Sequence, residues 1–329
     1  MTNAHFKKTA GRCSARLGAG SNSLNRIIVI VGPTASGKSD LAVKIARKFN
    51  GEIVSADSRQ VYKGMNLGTG KVPYGKSPKS YILSPKFYIY KSIPHHLLDV
   101  ANPKRTFTVA QYKRLASKAI ENIWRRRKIP ILCGGTGFYI RAVIDGLVIP
   151  GVEPNLGLRR GLERKSTAEL AEMLKARDAE RAGNIDLKNR RRIIRALEII
   201  QVLGRVPRIK TEPLKAKILM LGIKKGKKEL ELLIRKRLLK RLKQGMIKEI
   251  KNLHKDGISW KRLESFGLEY KYSALYLQEK ISKKEMAERI IKSSLQYAKR
   301  QITWFKKDER IVWVQNRNEI ERLVRLFLK

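Results

Sequence analysis

Ile27-Ile28-Val29-Ile30-Val31-Gly32-Pro33-Thr34-Ala35-Ser36-Gly37-Lys38-Ser39 is the stretch whose reading decides the fold. Five aliphatic, mostly β-branched residues read as a short strand that stops at Gly32. From Lys38 onward apolar residues recur at helical spacing, so strand, glycine loop and helix follow one another. The glycines, then Lys and Ser, fit the phosphate-binding loop. Gly32 and Gly37 let the arc from Pro33 to Ser36 turn the backbone N–H groups of Thr34, Ala35 and Ser36 into an anion pocket. The N-terminus of a helix, whose dipole favours negative charge, closes that pocket. Lys38 supplies a point charge to the phosphates, and Ser39 is placed to ligate Mg²⁺.

Outward from this loop, Gly51-Glu52-Ile53-Val54-Ser55 reads as a second short strand, ending near Asp57. Residues 129–133, 218–223 and 311–314 read as further strands. A helix is expected over 109–124, and two more over 168–182 and 190–203. One long helix is marked by Leu230, Ile234, Leu238, Leu242, Met246 and Ile250, another by Met286, Ile290 and Leu295, running toward Trp304. Residues 64–94 show weak periodicity and read as a mobile surface excursion. Residues 151–164 are a Gly- and Arg-rich stretch. Strands alternating with helices predict an α/β fold, a mostly parallel sheet flanked by helices. The helical stretch 141–207 interrupts the alternation. It is expected to be an inserted subdomain within a discontinuous core of 26–140 and 208–329.

The charge balance is extreme: 73 Lys and Arg against 28 Asp and Glu, a formal net charge of +45. Such an excess steers polyanions inward and makes nucleic acid the default partner. Cys13 and Cys133 are too few for a disulfide framework or a four-ligand zinc site, which fits a reducing, cytoplasmic compartment. The longest purely aliphatic run, 27–31, is far short of a bilayer span, so no membrane attachment is expected. Residues 1–25 carry basic and no acidic groups but too few apolar residues for an amphipathic face. They are expected to form a disordered basic arm. A monomer is expected.

A phosphate-binding loop by itself points to an NTPase or a small-molecule kinase. Those enzymes usually hold Mg²⁺ with a carboxylate that ends a second apolar strand. Here the strand at 129–133 runs into Gly134-Gly135-Thr136-Gly137 with no acid. The strand at 51–55 approaches Asp57, at the carboxyl edge of the sheet where ligand crevices form. Asp57 can be a metal ligand, a general base or a capping group.

The loop with Pro-Thr-Ala-Ser inside it, the run Asp57-Ser58-Arg59-Gln60-Val61-Tyr62-Lys63-Gly64-Met65 and Gly68-Thr69 resemble the tRNA dimethylallyltransferases. So do Pro94-His95-His96-Leu97, the turn Gly134-Gly135-Thr136-Gly137-Phe138-Tyr139, Arg195-Ala196-Leu197-Glu198 and the run Ala298-Lys299-Arg300-Gln301-Ile302-Thr303-Trp304-Phe305. The resemblance spans about residues 27–314 in family order. It implies a P-loop NTPase-like sheet with an all-helical tRNA-binding insertion. It also implies transfer of a dimethylallyl group from dimethylallyl diphosphate to N6 of adenosine 37, beside the anticodon.

By the same resemblance the diphosphate occupies Gly32 to Ser39 with Mg²⁺, and Thr34 lies near its scissile oxygen. Asp57 accepts a proton from the adenine amine. Ser58, Arg59 and Gln60 lie at the target base, where Gln suits a bidentate contact with adenine. Thr136, Arg191 and Arg192 touch the anticodon stem-loop. The family usually carries Arg where this chain has Lys271, which offers diphosphate a charge but no planar fork. No zinc-finger spacing exists, as in the bacterial-type enzymes. His95 and His96 lack partners at ligand spacing and are expected to be structural or close to tRNA. Cys133 reads as a small core residue, and Trp304 and Trp313 as packing residues. The rival readings are a P-loop kinase, which leaves the Asp57–Met65 run and the charge unexplained, and an RNA-binding protein without catalysis.

Overall fold

The computed structural model of the protein describes residues 25–73 and 88–329. The basic arm expected over 1–25 lies, apart from Asn25, outside the described residues.

β1 (Arg26–Val31) leads through the glycine loop into α1 (Lys38–Lys48), and β2 (Gly51–Ser55) follows. β3 (Tyr88–Tyr90) and β4 (Ile93–His96) precede α2 (Val109–Arg125), β5 (Ile129–Gly134) and α3 (Gly137–Ile144). Then come four helices: α4 (Leu156–Leu162), α5 (Thr167–Arg177), α6 (Ala179–Gly183) and α7 (Arg190–Leu203). β6 (Lys217–Ile223) returns to the sheet and is followed by α8 (Lys227–Lys243), α9 (Met246–Lys255), α10 (Trp260–Ser265), α11 (Leu268–Leu277) and α12 (Lys283–Phe305). β7 (Ile311–Val314) and α13 (Arg317–Leu328) end the chain.

The seven strands form one sheet in the order β3-β4-β2-β5-β1-β6-β7, parallel except for the β3–β4 pair at one edge. β1 lies inside the sheet, next to the central β5, with Val29 facing Leu132 of β5 on one side and Met220 of β6 on the other. Its side chains alternate between two cores. Ile28 and Ile30 pack under α1 and α13, whereas Ile27, Val29 and Val31 join the larger core built by α2, α3 and α8–α12. A strand buried on both faces reads as an unbroken apolar run, which is why β1 carries no polar alternation. α4–α7 enclose a third core, made of Leu162, Leu170, Leu174, Ile193 and Leu197, to which no strand contributes.

Four expectations change. The helix expected over 168–182 breaks at Asp178, whose carboxylate accepts from Arg181 N at 2.8 Å and from Val206 N at 2.9 Å. The Gly- and Arg-rich stretch 151–164 contains α4, N-capped by Asn155. The helix expected to run through Leu242 is two, because Gly245 takes φ +96°, a left-handed value that ends α8 and starts α9. The excursion expected over 64–94 is ordered wherever it is described. Met65 is fully buried, and Lys71 is buried with Nζ donating to Tyr62 O at 2.9 Å. β3 and β4 form a hairpin whose two turn residues, Lys91 and Ser92, both have positive φ. Residues 74–87 lie outside the described residues.

Candidate active site

β1 delivers the glycine loop to the carboxyl edge of the sheet. Gly37 adopts φ +85°, which L side chains rarely adopt, and a Cβ on Gly32 would fall 2.9 Å from Ser36 Oγ. Lys38 Nζ donates to Pro33 O across the loop at 3.2 Å. Burial lowers its pKa, opposed by Cys133 and Asp57 nearby. Ser36 Oγ is buried with no hydrogen-bond partner in the protein. Thr34 is held from two sides: its Oγ1 accepts from Arg237 Nη2 at 2.7 Å and its N–H donates to Gln301 Oε1 at 2.8 Å. Burial, and then the neighbouring Arg241, bring the Arg237 guanidinium down to about 10, which leaves it cationic at neutral pH. Arg241 is itself buried, donating to Glu269 Oε1 at 2.8 Å and to Gly68 O at 3.2 Å.

Asp57 stands two residues past the end of β2. Its Oδ1 accepts from Arg59 N at 2.8 Å and Gln60 N at 3.2 Å, so the carboxylate is fixed by its own turn. The neighbouring β5 turn presses against this segment: a Cβ on Gly134 would sit 2.1 Å from Ala56 O. Thr136 N donates to Ala56 O at 3.1 Å, and Ser58 N donates to Thr136 Oγ1 at 3.0 Å. Arg59 Nε donates to Phe266 O at 2.9 Å.

A cavity of about 470 Å³ opens between these elements and brings together Thr34, Asp57, Ser58, Arg59, Arg191 and Lys271. Its wall also contains Arg237, Arg241, Tyr270, Tyr297 and Arg300. Lys271 is exposed there, with its ammonium 5.6 Å from the centre of the Tyr272 ring. Of the Gly32–Ser39 loop only Thr34 lines this cavity, and of the residues anticipated at the base and the tRNA, Gln60, Thr136 and Arg192 do not. Gln60 is tied to the backbone, accepting from Ser55 Oγ at 3.3 Å and donating to Thr69 O at 3.4 Å and Gly70 O at 3.3 Å. Thr136 stands behind Ser58, and Arg192 is exposed on the first turn of α7.

The loop carrying Gly68 and Thr69 is anchored from α9. Glu249 accepts from Asn66 N, Leu67 N and Gly68 N at 3.0, 2.7 and 3.1 Å, and from Tyr270 Oη at 2.8 Å. A Cβ on Gly68 would come within 2.6 Å of the Tyr270 ring, so only glycine fits.

No group of three or more His, Cys, Asp or Glu side chains among the described residues could hold a metal ion. Ser39, exposed on the first turn of α1, and Asp57 offer hard oxygen donors. That sparse set fits Mg²⁺, which keeps several waters and relies on one or two protein oxygens plus substrate phosphates. His95 and His96 are structural: His96 Nε2 lies 2.8 Å from Glu52 Oε2, and His95 Nδ1 lies 2.9 Å from Ile93 O. Burial pulls His95 down to about 4 and pushes the Cys133 thiol up to about 12, so both are neutral at physiological pH. Trp313 is half-buried against the main core, whereas Trp304 stays 38% exposed while packing over Gly137.

Arg237, Gln301 and Glu249 had no assigned role from the sequence. A signal existed for the first, because Arg237 and Arg241 are four apart beside the buried stripe of Ile234 and Leu238.

Against known proteins, the IPP transferase family model matches residues 60–308 and an isopentenyl transferase model matches 25–77. The chain is 41% identical to tRNA dimethylallyltransferase 1 of Syntrophus aciditrophicus, covering 89% of this chain and 94% of that protein. It is 40% identical to tRNA dimethylallyltransferase 2 of Treponema denticola, covering 87% and 95%. Among solved structures, the full-length tRNA isopentenylpyrophosphate transferase of Bacillus halodurans superposes with a TM-score of 0.65 at 31% identity, covering 92% of this chain and 97% of that one. A eukaryotic dimethylallyltransferase acting on tRNA gives 0.70 at 27% identity, covering 89% and 74%.

Proposed function

Because the chain belongs to the IPP transferase family, we infer that it transfers a dimethylallyl group from dimethylallyl diphosphate to N6 of adenosine 37 in tRNA. The observation that carries the reading is one cavity that holds both a phosphate-loop residue clamped by a half-buried arginine, Thr34 with Arg237, and a turn-fixed carboxylate, Asp57. In the reaction the N6–C1 bond forms, the C1–O bond to diphosphate breaks and N6 loses a proton.

The leaving diphosphate gathers negative charge at the Gly32–Ser39 loop. Thr34, Lys38 and Arg237 are the donors already aimed there, and preorganised donors at a developing charge lower the barrier. Asp57 takes the N6 proton as general base. Ser58 lies beside it for the base edge, while Gln60 acts indirectly by holding the Thr69–Gly70 backbone. Lys271 offers a further charge to the diphosphate. Mg²⁺, when bound, spreads charge over the diphosphate oxygens, and the Ser39 hydroxyl would hold it. Arg191 and Arg192, on the helical unit of 141–207, face the anticodon stem-loop, and flipping a loop nucleotide into the cavity costs a few kcal/mol.

The test is nucleoside mass spectrometry of unmodified tRNA incubated with the protein, Mg²⁺ and dimethylallyl diphosphate. N6-isopentenyladenosine is expected at nucleotide 37. Phosphoryl transfer from ATP without prenylation would overturn the reading in favour of a kinase. Tight tRNA binding without turnover would overturn it in favour of a binding protein. Asp57→Ala in folded protein is expected to cut turnover by on the order of 10²- to 10⁴-fold, the usual span of a general base.

A further inference from the structure

α12 reads the turn after β5 with three side chains in succession. The Tyr297 hydroxyl lies beside Thr136, Gln301 bonds Gly135, and Trp304 covers Gly137, where a Cβ would fall 2.1 Å from the indole nitrogen. Gln301 alone of the three also reaches the phosphate loop. Buried on α12, it donates from Nε2 to Gly135 O at 2.8 Å and accepts at Oε1 from Thr34 N–H at 2.8 Å. A carbonyl needs a donor and an N–H needs an acceptor, so the amide has one orientation, and no aliphatic, acidic or amino side chain satisfies both ends. The contact is close, since a Cβ on Gly135 would lie 2.1 Å from Nε2.

We propose that Gln301 is a positioning residue that sets the separation of the two reacting groups. This rests on the preceding reading, with diphosphate on the Gly32–Ser39 loop and the adenine beside Asp57 and Ser58. On the donor side Gln301 pins the Thr34 backbone, whose hydroxyl is turned to Arg237. On the acceptor side it pins Gly135, next to the Thr136 hydroxyl that holds Ser58 N. One amide therefore spans from the leaving-group loop to the turn behind the general base, touching neither substrate. Attack on an allylic carbon requires the reacting atoms about 3–3.5 Å apart, and a misplacement of ~1 Å costs on the order of 10²-fold.

The experiment compares the full chain with Gln301→Glu and Gln301→Leu, at a temperature well below each variant's thermal midpoint. Gln301→Glu keeps the shape and the Thr34 bond but sets an oxygen against Gly135 O, so it carries the test if the leucine variant misfolds. The expected result is a fall in kcat of on the order of 10²-fold, with KM for dimethylallyl diphosphate and for tRNA close to wild type. Single-turnover rates should fall in parallel, and activity should not recover on further cooling. Folded Gln301→Glu with wild-type kcat, or a loss carried wholly by KM, would overturn the proposal. Failure of the wild-type protein to prenylate tRNA would sink the preceding reading instead, so the two failures are distinguishable.

Discussion

Arg237 and Arg241 lie one helical turn apart on α8, and their partners set them different tasks. Arg241 is closed into an ion pair with Glu269 and a bond to Gly68 O, with both charges almost fully buried. Arg241→Met leaves Glu269 without its cation, a loss of about 3–5 kcal/mol, to be read as a lower denaturation midpoint. Arg237 ends on the Thr34 hydroxyl instead, so Arg237→Lys should leave the fold intact. Its turnover should drop on the order of 10²-fold, since an ammonium cannot reproduce the fork at a developing charge. Steady-state kinetics checks this. The sequence announced the phosphate loop through glycine spacing and Asp57 through its place after a strand. Arg237 was harder to read: α8 is so dense in Lys and Arg that charge does not say which cation faces inward, and only its place beside the Ile234–Leu238 stripe does. The bonds from Gln60 to the Thr69 and Gly70 carbonyls were not legible, because those partners lie on a loop with no periodicity.

At the level of elements, what the sequence showed as period it showed well, and what depends on remote partners it did not show. β1, β5 and α2 follow from apolar repeats. The ordered loop at 65–71 owes its shape to Glu249, some 180 residues away in the chain, and no local pattern signals that. Glu249→Gln replaces one carboxylate oxygen with a donor facing backbone N–H groups. It should cost about 1–3 kcal/mol and raise amide exchange at Asn66, Leu67 and Gly68. Unchanged exchange there would remove Glu249 as the anchor. The split at Gly245 is a similar case. The apolar stripe continues across it, so period counting joins two helices that one left-handed glycine separates.

The whole molecule carries a formal charge of +45. If tRNA phosphates are its main partner, log affinity should fall linearly and steeply with log salt, and a flat slope in a filter-binding series would assign the charge elsewhere. Acid sensitivity follows from Glu52, buried in β2. Burial alone would raise its pKa, but bonds from His96, Arg126 and Lys128 outweigh that and hold it near 2. The carboxylate is thus harder to protonate folded than unfolded. Its contribution is full above about 4.5 and is lost as pH falls toward 2, on the order of 3 kcal/mol at 1.36 kcal/mol per unit. Acid denaturation of Glu52→Gln should lack this component. The sheet order also bears on how the chain is made. β1 is made before the other described strands yet lies inside the sheet; one neighbour arrives with residues 129–134 and the other only with 217–223. At about 5–20 residues per second on the ribosome, one side of β1 stays open for roughly ten to forty seconds. Nascent chains halted between 135 and 216 therefore present an unpaired strand edge that is apolar apart from Arg26, and those lengths are where misassociation and chaperone capture should concentrate.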